Sequence, residues 1–494
     1  MGRSVAFLLR CGVAAALVVV NCVVVALSTG PPAVAAGESV VSLRPSRLLE
    51  TRVADDLTTG DGQFEGTGRL GAGRTMQLTV AGRGGVPKSA TAVLVNVTAV
   101  LPSAAGFLTV WACGEDRPDP ASNVNYSSGG VSPNAVLAGV GERGQVCIYS
   151  FAETDVVIDV NGYVPAGGSL VPVAPARLLE TRSGPSDRTI DGRFQGRGRV
   201  PAGGVVEVQV AGRGEVPSAA VAALVNVTAV EPAAAGYLTV YQCGATRPDP
   251  ASNVNYERGG AYPNAVLSKI GDGGKICVYS LVETDVIVDV NGYLEFGSTL
   301  VAATPIRMLE TRSGPEDTTF DDKFEGGGRL EAGGVLEVQV AGRGSVPLGA
   351  TTVVMNLTAV HAAAPGYLTA YPCDRPRPDP ASNVNYFTGG AYPNAVVAQL
   401  SATGTVCIYT LVETDLIIDV IGSVGASGTG IDLSPVTLAS HKAQPLDRIP
   451  VSGLDLGADL TRFGVQLMVD GVRYGSLPVF VDEAGPYVTC LLYT

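Results

Sequence analysis

Arg117-Pro118-Asp119-Pro120-Ala121-Ser122-Asn123-Val124-Asn125-Tyr126 recurs without a change at residues 247–256 and 377–386. The three copies lie between pairs of cysteines, namely Cys113 and Cys147, Cys243 and Cys277, and Cys373 and Cys407. The stretch therefore marks the middle of a repeated module, and it carries the densest set of hydrogen-bonding side chains in that module.

Comparison of the chain with itself gives a period of 130 residues across the matched part. Arg47, Arg177 and Arg307 open a second recurring phrase at the same spacing. A period of this length far exceeds the units of solenoids and propellers, so each copy is expected to be a domain. We place the repeats at residues 38–167, 168–297 and 298–425, and predict touching beads in a row because the links are very short.

Strand signals within a copy come every 8 to 15 residues and are separated by Gly- and Pro-rich turns. About eight short strands with no helical period predict an all-β fold, with each copy an antiparallel β-sandwich of jelly-roll or Ig-like type. In the first copy the strands are predicted at Arg74–Ala81, Ala92–Val100, Gly106–Cys113, Ala135–Val140, Gln145–Phe151 and Asp155–Tyr163, with weaker signals at Leu43–Thr51 and Ser122–Ser127.

Alternation assigns the two faces of the last strand of this copy. Val156, Ile158 and Val160 share one face, which is expected to enter the core. Asp155, Val157, Asp159 and Asn161 share the other.

The charge balance argues against nucleic acid as a partner. Acidic residues outnumber basic ones by 46 to 33, which gives a formal net charge of −13. A phosphate backbone would be repelled by the chain as a whole.

The N-terminus has the pattern of an export signal. Arg3 and Arg10 mark a short basic region, an apolar run follows from Cys11 to about Leu27, and Ala33-Val34-Ala35 offers a cleavage site. Residues 1–36 are therefore predicted to be a signal peptide, which implies a secreted or cell-surface protein. A single membrane anchor is the alternative, since the run is about 17 residues long.

The C-terminal residues 426–494 have a pattern of their own. Val465–Val469, Asp470-Gly471 and Val472–Tyr474 form a hairpin signal. The chain stops within an apolar run, so we expect a linker followed by a partial β module of Ig-like type.

The cysteines of an exported chain are expected to form disulfides. Pairing across copies would leave Cys113 and Cys407 single, whereas pairing within copies leaves none of the six over. We therefore predict Cys113–Cys147, Cys243–Cys277 and Cys373–Cys407, each worth about 3 to 4 kcal/mol in the chain-entropy model. Cys490 is left odd.

Catalysis finds little support in the sequence. The two histidines, His361 and His441, have no counterparts in the other copies, so a histidine-dependent site cannot be a property of the module. The recurring acids Glu153, Asp155 and Asp159 are interpreted as a solvated or turn-capping face. A calcium site is the weaker alternative and catalysis weaker still. No cofactor is predicted.

The repeated stretch supports two interpretations. It can be a loop whose polar groups satisfy its own backbone under the disulfide, or a ligand site in which planar amides bind sugar hydroxyls beside an aromatic ring. The candidate ligand-binding residues are Arg117, Asp119, Asn123, Asn125 and Tyr126, then Arg247, Asp249, Asn253, Asn255 and Tyr256, and then Arg377, Asp379, Asn383, Asn385 and Tyr386.

With Arg47–Arg52, Val93–Val100, Gly106–Val110 and Asp159-Val160-Asn161-Gly162-Tyr163, the chain resembles tandem modules of secreted actinobacterial proteins. The resemblance implies an exported accessory module of the surface or extracellular space, without a defined activity. The third copy departs from the pattern at Asp419-Val420-Ile421, where Ile421 replaces the asparagine.

Two functions remain as expectations. The array either binds cell-wall or extracellular polysaccharide through three weak sites, or it is a structural spacer that presents a terminal domain. A carboxylate-dependent glycoside hydrolase is a third possibility.

Overall fold

The computed structural model describes residues 39–425, apart from residues 56, 120, 250, 296, 379 and 380. Outside that range it describes only the backbones of strands near the two termini. The chain divides into two compact units, Met1–Ala35 with Gly428–Thr494, and Ala36–Ser427.

The first unit contains two N-terminal strands, β1 (Phe7–Cys11) and β2 (Val20–Val24), which pair antiparallel. The predicted cleavage site at Ala33-Val34-Ala35 lies outside the described residues. In the described part of the chain, no helix has the length and apolar character needed to cross a membrane.

The three repeats have matching strands. Repeat 1 contains β3 (Val41–Glu50), β4 (Arg74–Thr79), β5 (Ala92–Val100), β6 (Gly106–Ala112), β7 (Val124–Tyr126), β8 (Val131–Gly139), β9 (Gln145–Ser150) and β10 (Asp155–Val164). Repeat 2 contains β11 (Leu170–Glu180), β12 (Val205–Gln209), β13 (Ala222–Val230), β14 (Gly236–Gln242), β15 (Val254–Tyr256), β16 (Ala261–Lys269), β17 (Lys275–Ser280) and β18 (Asp285–Leu294). Repeat 3 contains β19 (Leu300–Glu310), β20 (Val335–Gln339), β21 (Ala350–Ala362), β22 (Gly366–Pro372), β23 (Val384–Tyr386), β24 (Gly389–Gln399), β25 (Thr405–Thr410) and β26 (Asp415–Gly425).

Short 3-10 turns at Glu142–Gly144 and Asp272–Gly274 precede β9 and β17. The remaining strands of the first unit are β27 (Thr437–Leu438), β28 (Arg448–Ser452), β29 (Gly464–Val469), β30 (Val472–Asp482) and β31 (Gly485–Thr489). Its sheet has the order β1-β2-β29-β30-β31-β28-β27. The predicted hairpin is confirmed, with Val469 of β29 opposite Val472 of β30.

The all-β prediction is confirmed, and all eight strands predicted for repeat 1 are present. Each repeat forms two four-stranded antiparallel sheets. In repeat 1 the inner sheet has the order β3-β10-β5-β8 and the outer sheet the order β4-β9-β6-β7, and the other repeats follow the same orders. The described part of unit two thus contains six such sheets.

One apolar core joins the two sheets of each repeat. In repeat 1 it includes Leu48 and Ile158 from the inner sheet and Leu108 and Ile148 from the outer sheet, all fully buried. Val156 and Val160 belong to the same cluster, so the assignment of that face to the core is confirmed.

The predicted row of beads is wrong, because the three repeats close into a ring. A separate apolar cluster takes side chains from all three copies, including the equivalent residues Leu94, Leu224 and Val354. Ser39, Ser169 and Ser298 of successive repeats also meet through their hydroxyl groups. Repeat 3 contacts repeat 1 directly, with Ser42 Oγ 2.7 Å from Thr352 Oγ1.

Candidate functional site

The repeated ten-residue stretch divides into two halves with different surroundings. In repeat 1, Arg117 and Asp119 remain at least partly exposed, and Asp119 shows 55% of its side chain. Ser122, Asn123 and Tyr126 are instead almost fully buried, with 1 to 3% of their surface exposed. The second half is therefore part of the interior of the molecule and the first half part of its surface.

The buried half of each stretch docks onto the next repeat of the ring. The backbone N–H of Ser122 donates to Asp289 Oδ2 of repeat 2 at 3.3 Å, and Asn226 Nδ2 donates back to the Ser122 carbonyl at 2.8 Å. Repeat 2 docks onto repeat 3 in the same way through Ser252, Asp419 and Asn356. Ser382 of repeat 3 closes the ring on Asp159 and Asn96 of repeat 1.

The receiving face is a buried ion-pair network on the inner sheet. Arg47 and Asn96 lie opposite Asp159 on its two neighbouring strands, so the three residues form a row across the sheet. Arg47 Nε donates to Asp159 Oδ1 at 3.0 Å and Nη1 donates to Glu50 Oε2 at 3.2 Å. Arg52 adds two hydrogen bonds to Glu50 at 2.8 Å each. Both acids are fully buried, so their arginine partners are needed to make burial tolerable.

Electrostatics in this network favours the charged forms. Burial alone would lower the pKa of Arg177, the repeat 2 counterpart of Arg47, but the charge of Asp289 and its hydrogen bond outweigh burial, so the pKa is raised. The same holds for Arg307 with Asp419.

The interpretation of the recurring acids as a solvated face is wrong. Asp159 is fully buried, and Asp155 is 8% exposed because Arg69 and Thr51 hold its two oxygens at 2.9 and 2.8 Å. Only Glu153 is half exposed, and it pairs with Arg69 at 3.0 Å. Alternation placed Asp155 and Asp159 on the non-core face correctly, but Ser382 of a neighbouring repeat covers that face at Asp159.

Most of the predicted ligand-binding side chains are used within the protein. Asn123 Oδ1 accepts a hydrogen bond from the Val110 N–H at 2.6 Å, and the equivalent bonds of Asn253 and Asn383 are 2.6 and 2.7 Å long. Tyr126 donates or accepts at Ser150 Oγ, and Tyr256 and Tyr386 bond Ser280 and Thr410 likewise. Six side chains that were predicted to contact a ligand are instead buried, so they are not available to a ligand at the surface. They are Asn123, Asn253, Asn383, Tyr126, Tyr256 and Tyr386.

Asn125 and Asn385 are partly buried and contact the next repeat. Their Nδ2 atoms donate to Thr228 Oγ1 and Thr98 Oγ1, both at 3.3 Å. These amides therefore bind the neighbouring repeat, which neither of the two interpretations of the stretch anticipated. Asp379 lies outside the described residues.

The joint between repeats 2 and 3 is less complete than the other two. Asn123 Nδ2 donates to Asn291 at 3.4 Å and Asn383 Nδ2 to Asn161 at 3.2 Å. The corresponding position in repeat 3 is Ile421, and Asn253 Nδ2 is buried without a hydrogen-bond partner among the described residues. Asn255 Oδ1 and Thr358 Oγ1 at the same joint are also unpaired there.

Three asparagines that the sequence did not single out connect the joints. Asn134 Nδ2 donates to Asn226 Oδ1 at 2.8 Å, and Asn134 Oδ1 accepts from the Ala265 N–H at 3.0 Å. Asn264 and Asn394 repeat the pattern around the ring. The sequence shows that these asparagines recur at the 130-residue period. That spacing does not indicate which residues of the neighbouring repeat they contact.

The exposed half of the stretch forms a surface patch on the outer sheet, which we call the platform. The Arg117 guanidinium carbon lies 4.3 Å from the ring centroid of Tyr149, and Phe107 stacks on Phe151 at 5.3 Å. Arg247 lies 4.2 Å from the Tyr279 ring and Arg377 4.1 Å from the Tyr409 ring. Tyr237 and Tyr367 occupy the position of Phe107.

The platform rests on the disulfide, and all three predicted bridges are confirmed. The Cα atoms are 5.0 Å apart in Cys113–Cys147, 5.1 Å in Cys243–Cys277 and 5.0 Å in Cys373–Cys407. Trp111 packs against the first bridge, and its Nε1–H donates to the Glu115 carbonyl at 3.0 Å. Burial raises the pKa of Tyr241 and Tyr371, which replace Trp111 in the other repeats.

Among the described residues, one group of three potential metal ligands comes within 4.8 Å, namely Glu207, Cys243 and Cys277. Both sulfurs are committed to a disulfide, so this group is not a thiolate site.

Comparison with known proteins gave no match to a family model and none to a curated protein. Solved structures with detected similarity include two viral proteins. One is reported as "Life in the extremes: atomic structure of Sulfolobus Turreted Icosahedral Virus", with 10% identity over 71% of this chain and 83% of the other and a TM-score of 0.17. The second is reported as "The Triple Jelly Roll Fold and Turret Assembly in an Archaeal Virus", with 10% identity, coverage of 71% and 90%, and a TM-score of 0.15.

Proposed function

We propose that the protein is a secreted or cell-surface, non-catalytic protein that binds extracellular or cell-wall glycan through its three platforms. The observation that supports this is the same arginine-on-tyrosine geometry, at 4.1 to 4.3 Å, in every repeat. The proposed contacts differ from the asparagines expected from the sequence, because only the first half of the stretch is at the surface.

The chemistry of the platform suits a sugar. A ring beside a guanidinium offers an apolar face for sugar C–H groups together with planar donors for hydroxyls. Asp119 and Asp249 are 55 and 62% exposed and add acceptors next to Arg117 and Arg247. Three weak sites on one rigid ring would add by avidity on a repetitive polymer.

We also propose that each repeat is a jelly-roll sandwich. Numbered within a repeat, the strands follow the orders 1-8-3-6 and 2-7-4-5, and the two sheets share one core. A six-bladed propeller would also contain six four-stranded antiparallel sheets. A propeller blade, however, is built from consecutive strands, whereas each sheet here takes strands from both halves of its repeat.

Secretion is part of the proposal. Three disulfides are expected in an oxidising compartment, and the N-terminal sequence has the pattern of a signal peptide.

Glycan binding can be tested by retention of the protein on insoluble polysaccharides and purified cell walls. Replacing Arg117, Arg247 and Arg377 by Ala should reduce retention at least tenfold. The matched control replaces the exposed Arg188, Arg193 and Arg258, which makes the same charge change away from the platforms. Equal retention of the two triple variants, or no retention of the wild type, would rule out platform binding.

A rigid structural spacer is the second candidate. The supporting observation is that ring closure buries the second half of the stretch, so the identity of that half among copies has a structural cause without any ligand. A stable, folded ring that no polysaccharide retains would favour this candidate.

A further inference from the structure

A cavity of ≈ 150 Å³ lies at the joint where repeat 3 docks onto repeat 1. Arg52 and Thr98 line it from repeat 1, and Ser382, Asn385 and Phe387 line it from repeat 3. This volume exceeds what one or two waters need, so the cavity has room for a small molecule. Its lining residues do not include the arginines or the aromatic residues of the platforms.

Arg52 differs from its counterparts in the other repeats. Arg182 Nη2 pairs with Asp187 at 3.2 Å and Arg312 Nη2 with Asp317 at 2.9 Å, in addition to their glutamates. Repeat 1 has Leu57 at the aspartate position, and Arg52 has Glu50 as its only ion-pair partner among the described residues. Among the described residues, two repeats therefore hold a second carboxylate against this arginine, and the first repeat holds none.

The wall contributed by repeat 3 is also particular to this joint. Phe387 takes the place of Ser127 and Glu257, and its ring is partly exposed. The joint between repeats 3 and 1 has two apolar side chains, Phe387 and Leu57, at these positions. The joint between repeats 2 and 3 has two acids there, Glu257 and Asp317. The joint between repeats 3 and 1 is accordingly the least repulsive to an incoming anion.

Asn385 can provide a polar contact beside the ring. Its Nδ2 is used by Thr98 Oγ1 at 3.3 Å and Ser382 Oγ at 3.2 Å. These bonds fix the amide orientation and leave Oδ1 as an acceptor for a hydroxyl group.

We infer that this cavity binds a small sugar acid. Its carboxylate takes the place at Arg52 that Asp187 and Asp317 occupy at Arg182 and Arg312. The pyranose ring lies on Phe387, and a hydroxyl donates to Asn385 Oδ1. The ligand class follows from these three contacts, since a charged arginine selects the carboxylate and the ring with its neighbouring amide selects a hydroxylated body.

The test measures binding of D-glucuronate to the full-length protein by titration calorimetry, with D-glucose as the neutral match. We expect saturable binding of one glucuronate per chain and at least tenfold weaker binding of glucose. Leu57→Asp, which imports the aspartate of repeats 2 and 3, should weaken glucuronate binding at least tenfold, whereas Leu57→Asn should retain it.

Absence of glucuronate binding to the wild type, equal binding of glucose, or undiminished binding to Leu57→Asp would each overturn the inference. If Leu57→Asp fails to fold, Phe387→Glu, which imports the residue of repeat 2, gives the same decision. The triple arginine variant of the platforms should bind glucuronate as the wild type does, so failure of the platform proposal and failure of this one are distinguishable.

Discussion

Among the described residues, Asn253 makes one fewer hydrogen bond than its two counterparts. All three asparagines accept a backbone N–H through Oδ1, but only Asn123 and Asn383 also donate to the next repeat. Ile421 replaces the amide that Asn253 would reach, and Ile421 instead packs in the apolar cluster shared by the three repeats. The three joints therefore allow a comparison within one chain. Asn123 and Asn383 have an asparagine partner in the next repeat, and Asn253 has none because Ile421 stands at that position.

This difference predicts unequal costs for one substitution. Asn123→Ala and Asn383→Ala each remove a backbone bond and an inter-repeat bond and leave an amide of the neighbour unpaired, whereas Asn253→Ala removes only the backbone bond. We expect Asn253→Ala to lower the free energy of unfolding by about 1 kcal/mol less than either of the others. Urea unfolding of the three variants measures this, and equal losses would contradict the assignment.

The segment between the first two strands of each repeat is held by an arginine clamp. In repeat 2, Arg213 donates to both oxygens of Asp191 at 2.8 and 2.6 Å and to the Leu178 and Gln209 carbonyls at 2.9 Å each. Its guanidinium carbon also lies 4.9 Å from the Phe194 ring centroid. Arg83 with Asp61 and Arg343 with Asp321 repeat the clamp. One side chain thus fixes a long irregular segment to the core of its repeat.

The clamp gives the protein a defined acid sensitivity. Hydrogen bonding by Arg213 lowers the pKa of Asp191 from 3.8 to about 2. Because the folded pKa is below the unfolded one, this stabilisation is complete above about pH 4 and is lost as pH falls towards 2. Asp191→Asn should cost about 1 kcal/mol at pH 7, since Asp191 is 33% exposed and solvent screens the pair.

The measurement is the free energy of unfolding between pH 2 and pH 7. The difference between wild type and Asp191→Asn should shrink as pH falls from 4 to 2. Asp116→Asn is the control, because Asp116 is exposed and forms no ion pair within the described residues. A difference that stays constant over this range would show that the carboxylate charge is not what the clamp uses.

Sequence patterns predicted the strands of each repeat because those signals are local. Alternation and turns placed β5 at its observed bounds and assigned Ile158 to the core. Pairing the two cysteines of each repeat predicted the three disulfides correctly. These features depend on residues within one repeat, where spacing along the chain limits the partners.

The ring was not predictable in the same way, because its joints are made by polar side chains. Asp159, Arg47, Asn96 and Asn123 have the composition of a solvated face, and burial follows only when a repeat far along the chain covers them. The candidate site was misplaced for the same reason. The side chains richest in hydrogen-bonding groups hold repeats together, and the platform at the surface uses the arginine and the aromatic residues of the outer sheet.

Ring closure predicts a covalent bond that a linear row would not allow. Ser42 of repeat 1 and Thr352 of repeat 3 have hydroxyl oxygens 2.7 Å apart, although 310 positions separate them in the chain. The matching residues at the joint between repeats 1 and 2 are Ala92 and Pro172, so this contact belongs to the closing joint. Replacing both residues by cysteine should yield an intramolecular disulfide without a large change in structure.

Peptide mapping of the non-reduced Ser42→Cys/Thr352→Cys variant would identify the linked peptides, and each single cysteine variant serves as the control. The link should form in most molecules and raise the free energy of unfolding, since it closes a loop through all three repeats and a loop of this length is worth roughly 6 kcal/mol in the chain-entropy model. In a row of beads, repeats 1 and 3 would be held apart by repeat 2 and the peptides would remain unlinked. Formation of this one disulfide, between the two repeats that are most distant in sequence, therefore distinguishes a ring from a linear row.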